Sequence, residues 1–99
     1  MDESNLSTTI RLSIQRALLG AITPNMRLIT IGWNELKLFQ LLVYFENKPT
    51  EEEIENIESV CTEVNADIAF EKNEVRCVQS KKPINELETL KWIVYLRKE

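Results

Sequence analysis

The chain has 99 residues, with 16 acidic and 12 basic side chains, two glycines, no histidine and a formal net charge of −4. The absence of histidine excludes a histidine general base, a histidine-activated nucleophile and a histidine metal ligand, and two glycines leave no Gly-rich phosphate loop. One domain over residues 1–99 fits the length, and a hydrophobic fraction of 43% supports a packed core.

Residues 1–5 read as a frayed terminus. Leu6, Ile10, Ile14, Ala17, Leu18 and Ala21 then recur at spacings of three and four, which predicts an amphipathic helix over residues 6–19, stopped by Gly20. Pro24-Asn25 make a turn. Residues 26–33 (MRLITIGW) are rich in β-branched and large side chains and predict a strand. Trp33-Asn34-Glu35 reads as a tight connection, with Asn34 taking the positive φ. A second strand follows over residues 36–46. Leu36, Leu38, Gln40, Leu42 and Tyr44 point one way; Lys37, Phe39, Leu41, Val43 and Phe45 point the other. A strand apolar on both faces is central or has its second face covered, by the chain itself or by a partner.

Asn47-Lys48-Pro49 ends that strand. Thr50 and Glu53 form a capping-box pattern, and Glu51, Glu52 and Glu53 suit the positive end of a helix dipole. The predicted second helix spans residues 51–65, burying Ile54, Ile57, Val60, Cys61 and Val64. Residues 67–72 fit either a strand or a loop that tucks Phe70 into the core. Residues 73–79 predict a strand with Val75 and Cys77 on one face. Residues 88–97 predict the last, with Leu90, Trp92, Val94 and Leu96 inward and Lys91, Ile93, Tyr95 and Arg97 opposite. The order α-β-β-α-β-β predicts an α+β fold of two layers: a mainly antiparallel four-stranded sheet with two helices on one face.

Cys61 and Cys77 form no CxxC and fall short of the four ligands of a structural zinc site, so they read as small buried hydrophobes. The opening MDESNLSTT is acidic and polar where a signal peptide would be basic and then apolar. The longest apolar stretch, residues 36–45, carries Lys37 and Gln40 and is too short to span a bilayer. These features predict a cytoplasmic protein that does not engage a membrane and needs no cofactor.

The net charge hides an asymmetry. Residues 46–71 hold nine acids and one base, while the rest of the chain holds seven acids and eleven bases. Glu51, Glu55 and Glu58 share one flank of the second helix, with Glu52 and Glu63 nearby. Repulsion within such a set costs a few tenths of a kcal/mol per like pair. Two readings stand: a solvated helix face, or a docking surface for a basic protein partner made by Glu51, Glu52, Glu55, Glu58 and Glu63. Catalysis by paired carboxylates needs a buried member, and these sit mostly on the exposed side of the predicted helix; magnesium binding by the Glu cluster would be unspecific, and there is no EF-hand spacing, so no catalytic residue and no metal site is assigned. The late bases Lys81, Lys82, Lys91, Arg97 and Lys98 interleave with Trp92 and Tyr95. Trp92 shares the inward face, however, and the net charge opposes phosphate-driven affinity, so a nucleic-acid partner is not expected. Trp33 is expected to close the core.

Several blocks carry a family resemblance: Ile14-Gln15-Arg16-Ala17-Leu18-Leu19-Gly20, Thr23-Pro24-Asn25-Met26-Arg27, Trp33-Asn34, Val43-Tyr44-Phe45, Thr62-Glu63-Val64-Asn65-Ala66-Asp67 and Val94-Tyr95-Leu96-Arg97-Lys98-Glu99. Together they resemble a family of small acidic bacterial proteins associated with contact-dependent growth inhibition and related toxin systems, where they serve as immunity proteins. The resemblance implies a non-enzymatic protein that binds and neutralises one cognate toxin domain, often a basic nuclease. The alternative is a generic interaction or regulatory module; the expected state is a monomer or a weak homodimer pairing exposed strand edges.

Overall fold

A computed structural model describes residues 3–99. The elements are α1 (Glu3–Ala17), β1 (Met26–Asn34), β2 (Leu38–Phe45), α2 (Glu51–Asp67), β3 (Lys72–Gln79) and β4 (Trp92–Leu96), with a one-turn 3-10 helix at Ile84–Glu86 between the last two strands. The sheet order is β3-β2-β1-β4. Leu6, Ile10, Ile14 and Ala17 of α1 and Ile57, Val60, Cys61 and Val64 of α2 close on the sheet face formed by Ile29, Ile31, Trp33, Phe39, Leu41, Val43 and Phe45. Each fully buried aliphatic or aromatic side chain of this kind contributes about 1.5–3 kcal/mol. The two-layer α+β arrangement expected from the sequence is present.

The sheet is mixed where a mainly antiparallel one was expected. β1 pairs antiparallel with β2 and β4, but β2 and β3 run parallel, from Leu38↔Lys72 to Phe45↔Gln79. The cause is α2, whose 17 residues carry the chain back along the sheet, so β3 starts from the same end as β2.

Element ends also differ. α1 begins at Glu3, so residues 3–5 are helical where a frayed terminus was expected; Met1 and Asp2 lie outside the described residues. α1 ends two residues early, and Gly20 takes the left-handed conformation at φ 80 that stops it. In the β1–β2 turn the positive φ of 49 falls on Glu35, while Asn34 stays in β1. β2 therefore starts at Leu38 and leaves Leu36 exposed in the turn. α2 extends to Asp67, and residues 68–71 form the loop, with Phe70 buried and stacked on Phe39 at 5.2 Å between ring centroids.

The second face of β2 is covered by the chain itself. Leu28, Leu42 and Tyr44 pack beneath Leu87, with Ile84, Leu90 and Val78 around it. Residues 80–91 form a strap held by three central-strand side chains. Arg27 donates to the carbonyls of Ser80 and Lys82, both at 2.8 Å. The Tyr44 hydroxyl donates to the Glu88 carbonyl at 2.9 Å. The Thr30 hydroxyl donates to the Trp92 carbonyl at 2.7 Å and accepts from the Leu90 N–H at 2.9 Å.

Two bulges reset the side-chain alternation. In β1 the register slips at Arg27, between Met26↔Phe45 and Leu28↔Tyr44. In β4 it slips at Val94, between Ile29↔Tyr95 and Thr30↔Ile93. The second slip overturns part of the expected pattern: Tyr95 packs toward the helix-side core, whereas Leu96 lies opposite Leu28 and is exposed. Leu90, also expected on the helix side, joins the cluster under the strap. β4 is shorter than residues 88–97 because its lead-in belongs to that strap.

Candidate partner interface

α2 carries the acidic face, and its start is fixed locally. The Thr50 hydroxyl accepts from the Glu53 N–H and the Glu53 carboxylate accepts from the Thr50 N–H, both at 3.0 Å. This is the capping box read from the sequence. Glu53 is drawn inward beyond that role: Thr23 donates to it at 2.5 Å and the Asn25 amide at 3.3 Å. Burial acts to raise the Glu53 pKa, but the hydrogen bonds from Thr23, Thr50 and Asn25 outweigh it and leave the carboxyl below its ordinary value.

Two more acids of the block are engaged. Glu46 accepts from Arg97 at 2.6 Å. Asp67 accepts from Ser13 at 2.7 Å and Arg16 at 2.6 Å, which lowers its pKa. The five predicted interface residues are different. Glu51, Glu52, Glu55, Glu58 and Glu63 are all exposed, and among the described residues none of them has a hydrogen bond or ion pair through its carboxylate.

Two of these five, Glu58 and Glu63, line grooves on opposite sides of α2. Glu58 lines a groove of about 260 Å³ with Cys61, Thr62 and Asn65 of α2 and Asn73 and Val75 of β3. Glu51 and Glu55 share that flank by helical spacing. Glu63 lines the opposite groove, of about 190 Å³, with Asn56, Ser59 and the turn around Gly20. Glu52 falls on this second flank. Glu51, Glu55 and Glu58 keep to one flank, as the spacing in the sequence has it, and Glu52 and Glu63 lie across the crest of α2.

The remaining candidates are accounted for by packing. Cys61 and Cys77 are free thiols, and burial pushes both pKa values up, for Cys77 with help from the carboxylates of Glu58 and Glu53. That opposes thiolate chemistry. Trp33 is buried and meets half-buried Trp92 edge to face at 5.0 Å, as a core reading of both requires. Arg11 lies 4.0 Å above the Trp92 ring, at the mouth of a groove of about 420 Å³ between α1 and β4. Among the described residues no group of three or more His, Cys, Asp or Glu is placed to hold a metal, and no helix is long and apolar enough to cross a membrane.

Sequence reading missed one constellation. Arg27 is buried and grips the Glu99 carboxylate with two hydrogen bonds of 2.8 Å. Arg97 bridges Glu99 at 2.9 Å, Glu46 at 2.6 Å and the Pro24 carbonyl at 2.8 Å. Hydrogen bonds from Arg27, then those from Arg97, bring the Glu99 pKa down to about 2. Arg27 and Arg97 belong to the blocks that carried the family resemblance, and here they tie elements together.

A family model described as MafI2 immunity protein matches residues 7–99. The chain belongs to that family. It is an immunity protein, and membership implies binding to a cognate toxin. No curated protein matches the chain. In this MafI2 family member the resembling blocks supply the seam of Arg27, Arg97 and Glu99 and the Asp67 anchor, whereas Glu51, Glu52, Glu55 and Glu58 lie outside those blocks.

Proposed function

We propose that this immunity protein neutralises its toxin domain in the cytoplasm by stoichiometric, non-catalytic binding. The toxin domain in this reading is a nuclease, whose basic nucleic-acid surface meets Glu51, Glu52, Glu55, Glu58 and Glu63. The observation that carries the proposal is the set of five exposed carboxylates on α2 without a cation among the described residues. Charges held this way repel one another within the free protein and are relieved by an opposite surface. They act mainly on encounter, so the association rate is the quantity to measure.

A toxin-domain candidate from a neighbouring gene is the partner to purify with it. Association is expected to slow steeply between low and physiological salt. The triple reversal Glu51→Lys, Glu55→Lys, Glu58→Lys is expected to slow it by about a hundredfold at low salt. An unchanged rate clears α2 of a docking role, and failure of the two proteins to associate removes the proposal.

A further inference from the structure

The two edges of the sheet are not equivalent. β4 is five residues long and bulged at Val94, a shape that blunts an edge against strand pairing. β3 is eight residues long, pairs with β2 in unbroken register and contains neither a bulge nor a proline. The Lys72 N–H donates to Lys37 and the Ser80 N–H to Phe45, which fixes the parity of the parallel ladder. Even-numbered residues of β3 turn their N–H and C=O toward β2. Asn73, Val75, Cys77 and Gln79 turn theirs outward, along an edge with no strand beyond it among the described residues. A regular open edge of this length is a template for one more strand.

Charge selects the occupant. The groove beside this edge is roofed by the α2 flank that carries Glu58, and helical spacing sets Glu51 and Glu55 on the same flank, beyond the groove itself. Pairing of β3 with a second copy across a two-fold axis would bring two such flanks together, carboxylate against carboxylate, which opposes self-association. An extended segment with lysine or arginine at alternate positions meets the opposite situation. Its cations on the helix side repeat every ~7 Å, and Glu51 and Glu55 repeat every ~6 Å along α2.

We infer that the toxin domain adds an extended, cationic segment to the β3 edge, under the Glu51, Glu55 and Glu58 flank of α2. This rests on the toxin-binding reading above and adds to it a location and a backbone mode. Outward hydrogen bonds hold the segment in place, and the carboxylates read its side chains.

Amide hydrogen exchange on the intact chain, alone and mixed with the toxin domain found to bind it, tests this directly. The amides of Asn73, Val75, Cys77 and Gln79 are expected to slow by at least about tenfold in the complex. Those of Glu74, Arg76 and Val78, already bonded to β2, are expected to stay as they were. Asn73→Pro or Gln79→Pro removes one outward N–H from an exposed position and is expected to speed dissociation by up to about tenfold. The exchange pattern of the unaltered chain decides the matter even if a proline variant unfolds. A complex that forms without this alternating protection overturns the inference and leaves toxin binding standing. Protection that arises in the chain alone, with the mass of a dimer, assigns the edge to a second copy and also overturns it. Absence of any complex removes the toxin-binding reading and this inference with it.

Discussion

At one end of the sheet Arg27, Arg97, Glu46 and Glu99 satisfy one another, whereas along α2 Glu51, Glu52, Glu55, Glu58 and Glu63 face no cation among the described residues. The same chemical group serves the fold in the first region and is left available in the second. Geometry makes the difference. The bulge at Arg27 re-aims a guanidinium into the fold, where it finds a carboxylate and two carbonyls. The α2 carboxylates sit on the crest of a helix whose opposite stripe is already buried. A charge desolvated with matched partners is destabilising to remove, and an exposed one is nearly neutral for stability.

The contrast is broken most severely by Arg27→Ala, which takes the donor from the Ser80 and Lys82 carbonyls and leaves the Glu99 carboxylate with Arg97 alone. Loss of about 3 kcal/mol in chemical denaturation is expected. Acid should then act on the first region. The Glu99 carboxyl is held at about 2 in the folded chain, below its unfolded value, so its contribution is present above the unfolded pKa and fades as pH falls from near 4.5 toward 2. Glu53 and Asp67 act with the same sign. The midpoint of unfolding is expected to drop across that window, and Glu99→Gln is expected to flatten the drop. Glu53→Ala removes half of the capping box and the acceptor for Thr23 and Asn25, at an expected cost of about 1–2 kcal/mol. The smallest change in stability is expected for Glu55→Gln, within about 0.5 kcal/mol by thermal or denaturant unfolding. A large loss there would erase the distinction between the two regions.

What could be read in the sequence follows the range of each interaction. The α2 capping box, the Gly20 stop and the two buried helix stripes, apart from half-buried Ile54, depend on residues a few positions apart, and they were legible. The two-sided apolarity of β2 announced a covered strand, although nothing local named residues 80–91 as the cover. The parallel β2–β3 pairing and the Val94 bulge are settled by how α2 and the strap fit the sheet, so strand direction and the Tyr95/Leu96 alternation were not legible. The acidic face was legible as a charge count and a helical spacing, but the grooves beside Glu58 and Glu63 depend on the placement of β3 and α1 against α2. Arg27 and Glu99 gave no signal as a pair, because no short-range pattern links residues 72 apart.

That separation has a kinetic consequence. β1 acquires β2 through a short turn, but its other edge stays open until β4, near the far end of these 99 residues, returns to it. Long-range closures of this kind form late and slow the acquisition of the native state. Until then the chain exposes the long β1 edge in place of the short, bulged β4 one, with Arg27 unsealed. For an immunity protein, that late closure is the step expected to set the interval between synthesis and readiness.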